Sequence, residues 1–148
     1  MITSGMSLGN NEPSEKIDLF QKQKFTSHAG IPMTWKIEMD AISDKEWDCL
    51  ASMIMDHQKE PFSKVVGIPR GGVKLQNALR KYSEWEGKHP WLVVDDVYTT
   101  GTSFREFCTT KETMFAYKWV IFARKPVDVD SGVRALFTMP KKFEHPGY

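Results

Sequence analysis

The apolar residues of this chain recur in two rhythms, and the switching between them predicts a layered fold. Trp47, Leu50, Ala51, Ile54 and Met55 fall three and four apart, so an amphipathic helix is expected from about Asp44 to His57. Ser43, followed three residues later by Glu46, has the capping-box spacing that would start it. Lys64 to Ile68 is a short β-branched run that breaks at Pro69-Arg70-Gly71-Gly72, the pattern of a buried strand entering a loop. Helical spacing returns from Val73 to Tyr82. Trp91 to Val94 is apolar on both faces, as a central strand is, and stops at Asp95-Asp96. Ser103 to about Thr113 is expected to be helical, Lys118 to Ala123 is a third buried strand, and Arg134 to Thr138 is a weaker edge strand. Ahead of these, Ile17 to Lys24 is expected to begin a short helix and Phe25 to Asp40 to form an irregular arm or short strands. Strands alternating with helices predict an α/β fold, a parallel sheet covered by helices.

Length and charge narrow this picture. A chain of 148 residues, 41% hydrophobic, buries one sizeable core but hardly two, so a single domain is expected over 17–148. Residues 1–16, rich in Ser, Gly, Asn, Glu and Pro, read as a flexible polar leader. With 20 Lys+Arg against 19 Asp+Glu there is no global field to attract nucleic acid or a membrane surface, and neither is expected as a partner. Any anion must be caught locally. Cys49 and Cys108 lie far apart, and no signal-peptide or membrane-length apolar run is present, which fits a cytoplasmic protein.

Two loops carry the candidate chemistry, and both follow strands, at the end where open α/β sheets collect ligands. One Asp after a strand is as often a cap as a ligand. Asp95 and Asp96 together, followed by Thr99-Thr100-Gly101-Thr102-Ser103, say more: hydroxyls beside a turn-permitting Gly at a helix start make a nest of N–H donors for one phosphate. The acids then face sugar hydroxyls or a hard cation with oxygen ligands. This combination suits a phosphorylated sugar with Mg²⁺. Neither G-x-x-x-x-G-K-[ST] nor G-x-G-x-x-G occurs, so triphosphate and dinucleotide motifs are absent.

The run Val93-Val-Asp-Asp-Val-Tyr-Thr-Thr-Gly-Thr-Ser103 resembles the phosphoribosyl-pyrophosphate (PRPP) motif of type I phosphoribosyltransferases. The resemblance implies a compact Rossmann-like fold with helices on both faces and an N-terminal hood. It assigns Asp95 and Asp96 to the ribose hydroxyls, and to magnesium either directly or through those hydroxyls and water, and Thr99, Thr100, Gly101, Thr102 and Ser103 to the 5′-phosphate. Gly67-Ile-Pro-Arg-Gly-Gly72 is similar to the family's pyrophosphate loop, where Arg70 would hold the diphosphate, Gly71 and Gly72 would allow close backbone approach, and a non-proline cis peptide would fall between Pro69 and Arg70. Phe25-Thr-Ser-His-Ala-Gly30 with Met33-Thr-Trp-Lys36 resembles the hood of orotate phosphoribosyltransferases, which places His28 and Trp35 near the base. The implied activity is transfer of a phosphoribosyl group from PRPP to a nucleobase, an orotate-like pyrimidine by preference, with Asp95, Asp96 and Arg70 as the catalytic set. A 6-oxopurine enzyme is the alternative base class; Thr99 argues against it, because those enzymes usually carry an acid there.

One departure from the family pattern opens a second alternative. Only Val73 to Val94 separates the two loops, too short for the extra strand and mobile lid that type I enzymes usually insert. A PRPP- or nucleotide-binding regulator without turnover is therefore the rival reading, Glu84, Glu86, Lys88 and His89 being a candidate lid remnant. The N-terminal leader or a second subunit would then close the site, and a homodimer is a further expectation.

Overall fold

Four parallel strands, in spatial order β3 (Val65–Gly67), β4 (Leu92–Tyr98), β5 (Tyr117–Ala123) and β6 (Val133–Thr138), carry the core of the chain. The structure is a computed structural model and describes residues 17–26, 30 and 32–140. A separate antiparallel pair, β1 (Phe20–Thr26) and β2 (Pro32–Ile37), forms the arm before the first helix. The expected helix at Ile17 to Lys24 is thus replaced by a strand. Its three-residue apolar spacing, Ile17 to Phe20, is local, whereas pairing with β2 from Phe20↔Ile37 to Thr26↔Pro32 is not, and the pairing prevails.

Helix α1 (Asp44–His57) has the expected bounds, and its capping box is formed: Ser43 N–H donates to Glu46 Oε1 at 2.8 Å and Glu46 N–H to Ser43 Oγ at 3.2 Å. Trp47, Ala51 and Ile54 are its buried face, with Leu50 and Met55 at the margin. Helix α2 (Val73–Leu79) packs beside it, and both cover Leu92, Val94, Trp119 and Ile121. Helix α3 (Thr102–Phe107) lies on the opposite face, where Phe104 packs with Val93 and Val120. The helices therefore cover both faces, as expected. Strands β3, β4 and β5 are added in one direction, yet α2 and α3 lie on opposite faces, so the two crossovers have opposite hands and one belongs to the rare left-handed class.

Two boundaries differ from the sequence reading. Strand β4 does not stop at the acids; it continues to Tyr98, because β5 pairs with it through Asp95↔Val120, Val97↔Phe122 and Tyr98↔Ala123. The expected helix to Thr113 breaks at Cys108, and a separate turn, α4 (Lys111–Met114), restarts on a Thr110–Thr113 capping box. No helix among the described residues is long and apolar enough to cross a membrane.

Candidate functional site

Strand β3 ends at Gly67, and the chain turns at once through Pro69 and Arg70 to start α2. The turn is tied down by its own backbone: Ile68 N–H donates to Val94 O at 2.8 Å, Gly72 N–H to Ile68 O at 2.8 Å, and Val73 N–H to Arg70 O at 3.2 Å. The Pro69–Arg70 peptide is cis, where the family resemblance placed it. Arg70 and Gly71 are exposed, whereas Gly72 is buried under the loop and serves its packing. Gly71 lies so close to Asp96 that any Cβ there would strike the Asp96 carboxylate. The two loops, 26 positions apart in sequence from Arg70 to Asp96, therefore meet at one point.

The two acids have different surroundings. Asp95 is 6% exposed, and its Oδ1 accepts from Asp96 N–H at 2.8 Å. Burial, reinforced by the charge of Asp96, pushes its pKa up to about 8. Asp96 is half-buried, its Oδ1 accepts from Val97 N–H at 2.7 Å, and it opens onto the cleft. Only Asp96 reaches that cleft directly; Asp95 stands behind it.

Past β4 the chain forms a small cup from Thr99 to Ser103, enclosing about 20 Å³. Gly101 takes φ +84°, a left-handed conformation that side chains rarely adopt, and this bend turns the strand into α3. The Thr100 and Thr102 hydroxyls share a hydrogen bond at 2.8 Å. Arg105 braces the cup, donating to Thr100 O at 3.2 Å and Thr102 Oγ1 at 3.0 Å.

A cleft of about 740 Å³ joins these parts. Arg70, Gly71, Asp96 and Thr99 line it from the loops, Phe25, Lys36 and Glu38 from the arm, and Arg124 from the end of β5. The arm is thus the expected hood. Lys36 Nζ pairs with Glu38 at 3.0 Å and holds that carboxyl below its ordinary value. Trp35 does not line the cleft; its ring packs on the Arg124 guanidinium, 3.6 Å from the charge to the ring centroid, with Phe25 at 5.8 Å. His28 lies outside the described residues.

Arg124, Lys36 and Arg105 were not singled out from sequence. For Arg124 a signal existed: a charge directly after the buried run Tyr117–Ala123 stands at the same end of the sheet as both loops. Lys36 gave none, since only the folding of the arm brings it to the cleft. The turn at Ser83 to Pro90, considered above as a lid remnant, is at the other end of the sheet. Glu84 N–H donates to Phe62 O, and Ser63 N–H to Pro90 O, both beside the entry of β3 and β4 rather than their exit. It cannot cover the cleft.

Among the described residues no three His, Cys, Asp or Glu side chains form a metal cage. A cation here would rest on Asp96, with Asp95 behind it, and take its other oxygens from a bound ligand and water. That donor set suits Mg²⁺, which commonly binds through one or two carboxylates plus substrate phosphates.

No protein-family model matches the chain, and no curated protein matches it in sequence. Solved structures do match in fold. Orotate phosphoribosyltransferase from Aeropyrum pernix superposes with a TM-score of 0.62 at 19% identity, over 81% of this chain and 88% of that one. UMP synthase from Leishmania donovani gives 0.61 at 13% identity, over 82% of this chain and 34% of that one. Orotate phosphoribosyltransferase from Francisella tularensis gives 0.54 at 15% identity, over 81% and 80%. The fold is that of the type I phosphoribosyltransferases, in the form seen in orotate phosphoribosyltransferase.

Proposed function

We propose that this chain transfers a phosphoribosyl group from PRPP to a nucleobase bearing an anionic substituent, an orotate-like pyrimidine. The observation that carries the reading is one cleft lined by Arg70, Gly71, Asp96 and Thr99 of the loops, by the hood and by Arg124. The cup at Thr99 to Ser103 takes the 5′-phosphate through its amides and hydroxyls. Asp96 takes the ribose hydroxyls, while Asp95 orients it by accepting from its backbone N–H. Arg70, with Lys74 also lining the cleft, faces the diphosphate. Bound with the diphosphate, Mg²⁺ would neutralise charge on the leaving group.

In this reading the bond from C1 of the ribose to the diphosphate breaks as cationic character builds on the sugar, and a ring nitrogen of the base attacks, its proton passing to the departing diphosphate or to water. The protein contributes positioning and charge: Arg70 stabilises the departing anion, and Asp96 favours positive character beside it. No covalent nucleophile is needed. Arg124 supplies the preference for an anionic base. It is 3% exposed and held on the Trp35 face, so its direction is fixed before the base arrives.

The test is PRPP-dependent consumption of orotate, uracil, hypoxanthine and guanine, each with Mg²⁺. Turnover with orotate above the others is the expected outcome, and Arg124→Gln should lower it at least tenfold while sparing PRPP affinity. One observation favours the rival, a PRPP-binding regulator: the Ser83 to Pro90 turn points away from the cleft, so no lid is available from that connection. Tight Mg²⁺-dependent PRPP binding with no turnover on any of the four bases would decide for it.

A further inference from the structure

At the other end of the sheet, away from the cleft just described, a second cavity of about 460 Å³ opens between the entry of β3 and the Ser83 to Pro90 turn. Its size falls within the range of about 300 to 1,000 Å³ usual for small-molecule sites. Two cations, Lys64 and Arg80, and two indoles, Trp85 and Trp91, line it. We propose that this cavity is a second ligand site, for a nucleoside monophosphate whose base lies on Trp85 and whose phosphate sits between Lys64 and Arg80. Nothing in this inference depends on the phosphoribosyltransferase reading.

Three observations carry it. Trp85 is 76% exposed, the largest apolar ring offered to solvent among the described residues, and it stands on a turn whose backbone is fixed. Glu84 N–H donates to Phe62 O at 2.8 Å, Gly87 N–H to Glu84 O at 3.0 Å and Ser63 N–H to Pro90 O at 3.1 Å, so the ring stands on a tied loop. Such an indole gains by stacking on a planar ring. Next, the cationic charge is already gathered beside it. Lys64 Nζ sits 4.6 Å from the Trp91 ring centroid, which steadies the ammonium without neutralising it, and Arg80 is exposed on the next turn of chain. Two cations a short way from an aromatic platform match the two ends of a mononucleotide. Finally, Glu84 and Glu86 flank Trp85 on the same turn. A chain of phosphates running past Trp85 would pass these two carboxylates, so one nucleotide is favoured over single-stranded nucleic acid.

The test must separate this site from the cleft, where a nucleotide is also the expected product. Uridine 5′-monophosphate is titrated into the full chain carrying Gly101→Val, which blocks the phosphate cup, with calorimetry for stoichiometry and tryptophan fluorescence for location. One equivalent is expected to bind and to quench Trp85. Trp85→Leu and Arg80→Gln, both at exposed positions, should each weaken that binding at least tenfold, and uridine or ribose 5-phosphate alone should bind at least tenfold more weakly than the intact nucleotide. The inference fails if the Gly101→Val protein shows no binding up to millimolar nucleotide, or if Trp85→Leu leaves the isotherm unchanged. It also fails if a short oligothymidylate binds more tightly than the mononucleotide, which would make the surface a nucleic-acid track. Loss of phosphoribosyl transfer in any assay would leave these outcomes as they are.

Discussion

Replacing Asp95 by asparagine should stabilise the protein at neutral pH, by an amount that grows as pH rises. The carboxyl is 6% exposed and its pKa is raised from an ordinary 3.8 to about 8, first by burial and then by the charge of Asp96. The sign follows from proton counting. Between those two values the folded chain keeps a proton that the unfolded chain has released, so wild-type stability falls as pH rises through that window. At 1.36 kcal/mol per pH unit, the contribution lost between pH 4.5 and 7.5 is about 4 kcal/mol. The amide of the Asp95→Asn protein would keep the shape and hydrogen-bonding capacity but would not titrate, so the difference between the two proteins isolates this one group. Urea unfolding at both pH values, followed by the fluorescence of buried Trp47 and Trp119, measures it. A midpoint difference between variant and wild type that stays constant from pH 4.5 to 7.5 would refute the argument: Asp95 would then titrate as an exposed acid does.

Gly71→Ala should lower PRPP affinity at least tenfold by pushing its new methyl into the Asp96 carboxylate, with the melting transition still cooperative; unaltered affinity by calorimetry would mean the loops do not act together. Asp96→Asn should abolish the magnesium dependence of PRPP binding, and an unchanged response to magnesium would remove the ribose role from this residue. Ile54→Ala, at a site with no exposure in the main core, should cost about 2 to 5 kcal/mol in urea unfolding; the half-buried Leu50 on the same helix should cost less.

How far the sequence disclosed this molecule depends on whether the deciding interactions are local. Helix α1 was legible to the residue because its start is set by Ser43 and Glu46 and its face by Trp47, Ala51 and Ile54, all within one segment. The phosphate cup and the Arg70 loop were legible for a similar reason: their chemistry is written in consecutive residues. Strand β1 was not, because a partner strand decided it, nor was the run of β4 past the acids, which β5 extends. Lys36 joins the cleft only when the hood folds over the sheet, and no spacing along the chain encodes that approach, whereas Arg124, directly after the buried run of β5, did leave a trace in the sequence. The unequal character of Asp95 and Asp96 was likewise hidden, since adjacent acids look alike until one of them is buried.

The way β3 ends the sheet has a consequence for self-association. An open border strand is a template on which another chain can grow, and this border is only three residues long, Val65–Gly67. The Gly67 N–H is engaged by Gln76 Oε1 at 2.8 Å from the helix that follows, so a side chain occupies a place where a neighbouring backbone would dock. A strand adding to this flank would have to displace that side chain, and Gln76→Ala would remove the obstacle. Among the described residues the opposite border of the sheet is β6.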